Sequence, residues 1–255
     1  MMYNCQRHIF LVPLKTVTGQ FLDKIKTLSS NADSRFLFLL SIQDYSSYLQ
    51  AVKNYLWAKN VRIISPRKFY DRTEHWEYIT KYAYANIEYD TFSYYFFGDT
   101  LRLKSFPQIT DESDIYINDY CIDFWVNVKE NVSHKEIEKK TANEIICNSL
   151  LMGRPLFAPL QKIIFKKRIV PQMIFEHKNS YVCDQLIIYY LIDSGNKVKF
   201  IKSPFYRINS ESRLFSATIS FFDVIKQQLY LYAKLRCVIG FPMILLRTIF
   251  KFLFN

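Results

Sequence analysis

The chain has 255 residues, half of them hydrophobic and 17% aromatic, with only 5 glycines and a formal net charge of +11. That length and apolar content are enough for one large domain with a sizeable core, and they exclude an extensively disordered or low-complexity chain. The excess of base attracts anions, but outside residues 162–168 and the C-terminal stretch the basic residues are dispersed. No nucleic-acid-binding module is present, so nucleic acid is not an expected partner.

In chain order, residues 9–14 (Ile-Phe-Leu-Val-Pro-Leu) read as a strand. Residues 19–28 read as a helix, with Phe21, Leu22, Ile25 and Leu28 at helical spacing. Residues 35–42 are apolar on both faces, as a central parallel strand covered by helices on both sides should be. A helix over 46–59, a strand over 61–65, a helix over 74–87 and a strand over 92–97 follow. This β-α alternation predicts an α/β fold with a mainly parallel sheet flanked by helices.

The second half is less regular. Residues 114–125 alternate enough for a strand, which could run antiparallel. Ser133 and Glu136 have capping-box spacing and open a helix to about residue 151, with Gly153 as its stop. Residues 161–165 form a short strand or helix, 184–193 a helix stopped by Gly195, and 197–201 a strand. The five cysteines (Cys5, Cys121, Cys147, Cys183 and Cys237) never stand at CxxC spacing and are odd in number. Reduced thiols fit them better than a disulfide framework or a zinc site. Residues 1–15 lack the length and cleavage site of a signal peptide, so secretion is not expected.

The chain divides into a domain over 1–220 and a helical tail over 221–255. From Val224 onward there is no acid, while Lys226, Lys234, Arg236, Arg247 and Lys251 lie among Leu, Ile, Phe and Val. Pro242 can begin a last helix. A spanning helix needs roughly 20 uncharged apolar residues, and Arg247 interrupts this one. A basic amphipathic helix lying on an anionic membrane surface fits better. The plainer alternative is a helix packed on the domain with its charges in water.

Two acids carry the chemistry. Asp99 ends the run Ser93-Tyr-Tyr-Phe-Phe-Gly98, where a buried strand opens into a loop. Asp184 starts a helix, and Pro204-Phe205-Tyr206-Arg207 lies beyond the strand that follows it. Ligands of open α/β sheets bind beyond the carboxyl ends of the strands, where such acids can face each other.

This order resembles the family-2-type glycosyltransferases of the GT-A fold, which build bacterial surface polysaccharides from nucleotide-sugars. The likeness runs from about residue 9 to residue 216. Pro13-Leu14-Lys15 stands at the turn after the first strand, and Ser41-Ile42-Gln43-Asp44 where acids hold the nucleotide. Gly98-Asp99-Thr100 stands at the metal-binding triplet, Asp184 at the base and Pro204-Phe205-Tyr206-Arg207 at the closing segment. The chain departs from the pattern in lacking the Asn after the first strand, in reducing the second acidic turn to Asp44, and in losing the second acid of the triplet to Thr100.

The resemblance implies an inverting glycosyltransferase, of hexosyltransferase type, that moves a sugar from a nucleotide-sugar to a lipid-linked saccharide acceptor. The pathway implied is synthesis of O-antigen, lipooligosaccharide or capsule, with the protein peripheral on the inner, cytoplasmic face of the cell membrane. Pro13, Lys15, Asp44 and Asp99 would hold the donor, Gln161 and Arg207 the substrate, and Asp99 a divalent cation, Mn or Mg. A hard cation on carboxylate oxygens stabilises a departing diphosphate. Asp184 would accept the proton of the attacking hydroxyl, held ionised by the amides of its helix start.

Plainer roles exist for each residue. Asp44 and Asp184 suit helix N-caps and Asp99 a turn, while Gln161 and Arg207 suit the surface. Glu176 and His177 are adjacent, and on extended chain would point apart, so they read as a loop pair and not an acid/base dyad. The alternative function is a non-catalytic GT-A-like binding or assembly subunit.

Overall fold

The computed structural model describes residues 6–55, 58–96, 98–110, 112–118, 160–201, 203, 205–207, 219–235, 240, 242, 245–246 and 249–250. The expected helix over residues 133–151 and its Gly153 stop lie outside them, as does the far part of the expected 114–125 strand.

The first half alternates as the apolar pattern requires: β1 (His8–Leu14), α1 (Gly19–Ser30), β2 (Phe36–Ile42), α2 (Tyr45–Tyr55), β3 (Val61–Ile64), α3 (Arg72–Asn86) and β4 (Thr91–Tyr94). There follow a short β5 (Thr100–Leu101), β6 (Ile115–Asn118), β7 (Ile163–Lys166), α4 (Cys183–Asp193), β8 (Val198–Ile201), β9 (Tyr206–Arg207) and α5 (Phe221–Lys234). Seven strands form one sheet in the order β3-β2-β1-β4-β7-β6-β8, and β5 pairs with β9 in a second, two-stranded sheet. The β1–β2, β1–β4, β2–β3 and β6–β8 ladders are parallel, whereas β7 is antiparallel to both β4 and β6. The sheet is therefore mainly parallel, and residues just before β7 share an edge with the carboxyl ends of the other strands.

Strand side chains alternate between faces, and both faces are buried. Ile9 and Leu11 of β1 join Phe92, Tyr94, Ile163 and Phe165 under α3, α4 and α5. Phe10, Val12 and Leu14 join Phe38, Leu40 and Ile42 under α1, with Ala51 of α2. This is why β1 and β2 read as continuous apolar runs. Pro13 lies beyond Leu11, the last β1 residue paired with β4, so its missing amide does not break that ladder.

Several boundaries moved. The helix expected from residue 74 starts at Arg72, because Asp71 accepts from the Glu74 amide at 2.8 Å and Glu74 returns the bond at 3.1 Å, a full capping box. Residues 161–165 split into a 3-10 turn (Leu160–Lys162) and a strand. α5 packs as part of the core: Val224, Leu231 and Tyr232 are buried, and Tyr230 donates to Glu176. Among the described residues no helix is long and apolar enough to cross a membrane.

Candidate active site

The carboxyl edge of the sheet gathers most of the chosen residues. β1 and β2 end side by side, and the Asp44 amide donates to the Lys15 carbonyl at 2.9 Å. Lys15 is exposed. Asp44 caps α2: its carboxylate accepts from the Ser46 hydroxyl at 2.6 Å and the Ser47 amide at 2.8 Å. Those bonds hold it below the usual carboxylate range. The cap accounts for this acid whether or not it also meets a ligand.

Beside it, a network that sequence reasoning missed ties β2 to α3. Buried His75 bonds through Nε2 to the Ser41 hydroxyl at 2.8 Å and through Nδ1 to the Gln43 amide group at 3.0 Å. Gln43 Oε1 in turn accepts from the Tyr70 amide at 2.6 Å. Burial lowers the His75 pKa to about 4, so the ring is neutral. No local signal marks this histidine, since its partners lie more than thirty residues upstream.

Asp99 follows Gly98, whose φ of 89° is left-handed backbone that glycine adopts without strain. The Asp99 side chain is fully buried, and Oδ2 accepts from the Tyr206 hydroxyl at 2.6 Å. The same phenol oxygen accepts from the Phe96 amide at 3.2 Å. The Asp99 carbonyl accepts from Tyr95 and from the Lys24 ammonium of α1. β5 and β9 fix the arrangement, with Thr100 opposite Arg207 and Leu101 opposite Tyr206. Asp99 and Arg207 are thus brought to one turn, although the Arg207 side chain is exposed.

Asp184 lies in the first turn of α4, whose N-cap is Val182, so it is not the cap residue. Its Oδ1 accepts from the Gln185 amide at 3.0 Å. Burial pushes its carboxyl above the usual range, against the pull of Arg72 and of the helix-start amides. Desolvation is thus a larger effect on this carboxyl than the helix-start amides expected to hold it ionised. Arg72, at the start of α3, stacks on the Trp76 ring at 4.3 Å, and Trp76 packs against Phe96 at 5.6 Å. Phe96 joins the two regions: its ring packs against Trp76, and its amide donates to the Tyr206 hydroxyl. Cys183 is buried beside Asp184, and burial pushes its thiol up to about 12, which makes it inert as a nucleophile.

Gln161 precedes β7 at the same edge, and its Oε1 is buried without a partner among the described residues. Near it, Asn118 ends β6; Oδ1 accepts from the Ser203 amide at 3.0 Å, and Nδ2 is buried without a partner among the described residues. Lys162 is fully buried. Glu176 and His177 turn to different groups, Glu176 to the Tyr190 and Tyr230 hydroxyls and His177 to Glu77.

The donor set fits a divalent cation poorly. Among the described residues no three acid, histidine or cysteine side chains cluster. Asp99 is sealed from solvent with one oxygen committed to a phenol, and an ammonium sits on its own carbonyl. Mg2+ is usually held by one or two carboxylates, with waters and substrate phosphates completing the shell; the poor fit here lies in the inward turn of the Asp99 carboxylate to Tyr206.

No protein-family model matches the sequence, and no curated protein matches it significantly. Solved structures do match the fold. TarS residues 1–349 of S. aureus in complex with UDP-GlcNAc aligns with a TM-score of 0.55 at 13% identity, over 87% of this chain and 64% of that one. S. aureus TarS aligns with the same TM-score at 11% identity, over 87% of this chain and 38% of that one. Glucosyl-3-phosphoglycerate synthase from Mycobacterium tuberculosis, in complex with Mg2+ and UDP, aligns with a TM-score of 0.47 at 9% identity, over 77% and 69%. The chain spans less than two thirds of the TarS chains it matches. Its fold is that of the GT-A glycosyltransferases.

Proposed function

We propose that this protein is a glycosyltransferase that takes a sugar from a nucleotide-sugar and passes it, with inversion, to the hydroxyl of a saccharide acceptor. The observation that carries the reading is Asp184, an acid at a helix start on a GT-A-like sheet, partly exposed and held by burial above the usual carboxylate range. A base needs an affinity for protons closer to that of its working solution, and burial supplies it.

In the reaction, the acceptor oxygen bonds to the anomeric carbon and its proton passes to Asp184. The bond from that carbon to the diphosphate oxygen breaks, and the electron pair leaves with the nucleoside diphosphate. Arg72 positions Asp184 and moderates its basicity. Pro13, Lys15 and Asp44 form the end of the sheet assigned to the nucleotide, and Arg207 stands beside Asp99 for the phosphates. The orphaned Gln161 Oε1 and Asn118 Nδ2 offer an acceptor and a donor to sugar hydroxyls, since a buried polar atom gains most from a late partner.

The acceptor is assigned as lipid-linked and the location as the inner face of the cell membrane, in surface-polysaccharide synthesis. The tail supports this: Phe222, Leu229, Leu246 and Phe250 are exposed large apolar side chains, with Lys226 and Lys234 exposed among them. Each basic residue near an anionic leaflet adds about 1 kcal/mol.

The test is a thermal-shift screen of nucleotide-sugars followed by turnover with lipid-linked saccharides. Stabilisation by one nucleotide class, with turnover, is expected. Stabilisation without turnover on any acceptor would favour a binding subunit. For the tail, deletion after Gly240 should weaken binding to anionic vesicles in a salt-sensitive way; equal partitioning of both forms would reject an anchor beyond residue 240, and a full-length protein that binds no vesicles would reject any.

A further inference from the structure

Lys24 stands where the chemistry of the leaving group needs positive charge and where the acids that would hold a metal are missing. Thr100 replaces the second acid of the triplet, and the Asp99 carboxylate is turned inward to Tyr206. α1 packs Phe21, Leu22 and Ile25 into the sheet, and this packing sets Lys24 on the neighbouring stripe, partly exposed. From there its ammonium reaches across to the carbonyl of Asp99 and lies 5.8 Å from the centre of the Tyr95 ring. An ammonium has three N–H donors, and the Asp99 carbonyl takes one. Across the same turn, Arg207 is paired with Thr100 in the β5–β9 ladder. Lys24 and the backbone of Arg207 thus lie on either side of Gly98–Asp99–Thr100. Burial lowers the Lys24 pKa, and the Asp99 carboxylate partly offsets that.

We propose that Lys24 is the residue that binds the diphosphate of the nucleotide-sugar, so that this chain holds its donor, and stabilises the departing nucleoside diphosphate, without a divalent metal. Asp99 then acts as the buried counter-ion that positions Lys24 and not as a metal ligand. The proposal rests on the glycosyltransferase reading above. The charge balance is complete: the electron pair of the broken bond goes to the diphosphate oxygen, and the ammonium donates a hydrogen bond to the phosphate oxygens without giving up its proton.

The test is calorimetric titration of the full chain with UDP, GDP and dTDP, in EDTA and in excess manganese, for the natural protein, Lys24→Met and Lys24→Arg. We expect one of the three to bind with the same affinity in EDTA and in manganese. Lys24→Met should weaken it by about tenfold or more, the loss of a charge-assisted hydrogen bond, Lys24→Arg should stay within a few-fold, and the parent nucleoside should bind all forms alike. Binding only in manganese, or Lys24→Met binding like the natural protein, overturns the proposal and leaves the glycosyltransferase reading standing. Failure of all three diphosphates in both conditions overturns both. If Lys24→Met does not fold, the comparison of EDTA with manganese on the natural protein decides alone.

Discussion

Asp99 and Asp184 are the same residue type at the same edge of one sheet, yet their surroundings are opposite. Asp99 is closed in on the side of α1, its carboxylate taken by Tyr206 and its carbonyl by Lys24 and Tyr95. Asp184 sits on the side of α3 and α4, partly exposed, with its carboxyl raised by burial and restrained by Arg72. Neighbours set what each acid can do: Asp99 is held in place by its partners, while Asp184, at its helix start, keeps the surroundings that the proposed base requires. A hydrogen-bond donor on a buried carboxylate lowers its affinity for a proton, whereas desolvation with a single moderating cation raises it.

The sharpest way to break this contrast is to neutralise the exposed member. Asp184→Asn should lower turnover by about 10²–10⁴-fold, the usual contribution of a general base, with donor binding nearly unchanged in titration. An equal loss of both would make Asp184 structural.

The next largest effect concerns what holds α3, and with it Arg72, against β2. His75 has a folded pKa of about 4, below its unfolded value of about 6.5. Between these values the unfolded chain takes up a proton that the folded one does not. Stability is therefore complete above about pH 6.5 and falls as the pH drops towards 4, by about 3 kcal/mol for this group. Buried His8, also held well below its ordinary value by burial and Arg35, acts in the same direction. Urea denaturation at stepped pH checks this, and His75→Gln should make the decline shallower.

On the closed side, Tyr206→Phe removes the hydroxyl from Asp99 and from the Phe96 amide together. A buried group left without its partner costs about 1–3 kcal/mol, which thermal denaturation would register as a lower Tm. An unchanged Tm would mean that Asp99 is not locked by this bond. The smallest effect expected is that of Arg72→Met. Loss of the guanidinium lets the Asp184 carboxyl rise further, so the acid limb of the pH–rate profile should move to higher pH; a limb that stays in place would remove Arg72 from the site.

Much of the fold was legible because it follows from short-range pattern. The apolar runs of β1 and β2, the helical spacing of Phe21, Leu22 and Ile25, and the Gly195 stop each declare themselves within a dozen residues. The order of Asp99, Asp184 and Tyr206-Arg207 likewise placed the candidate site at the carboxyl edge of the sheet. The sequence by itself determined the alternation, the two-sided burial of the central strands and the absence of an acid from Val224 onward, because each depends on residue type and local period alone.

Only the tertiary structure decided what the polar side chains do. Tyr206 meets Asp99 across 107 residues, His75 meets Ser41 across 34, and Glu176 meets Tyr230 across 54. The reversed direction of β7, which carries Gln161 to the active edge, is likewise fixed by pairing with β4 and β6. Such contacts have no local signature. They arise when burial of the apolar faces strips water from whatever polar groups come along, and each group must then find its partner among neighbours that the folded chain alone brings near.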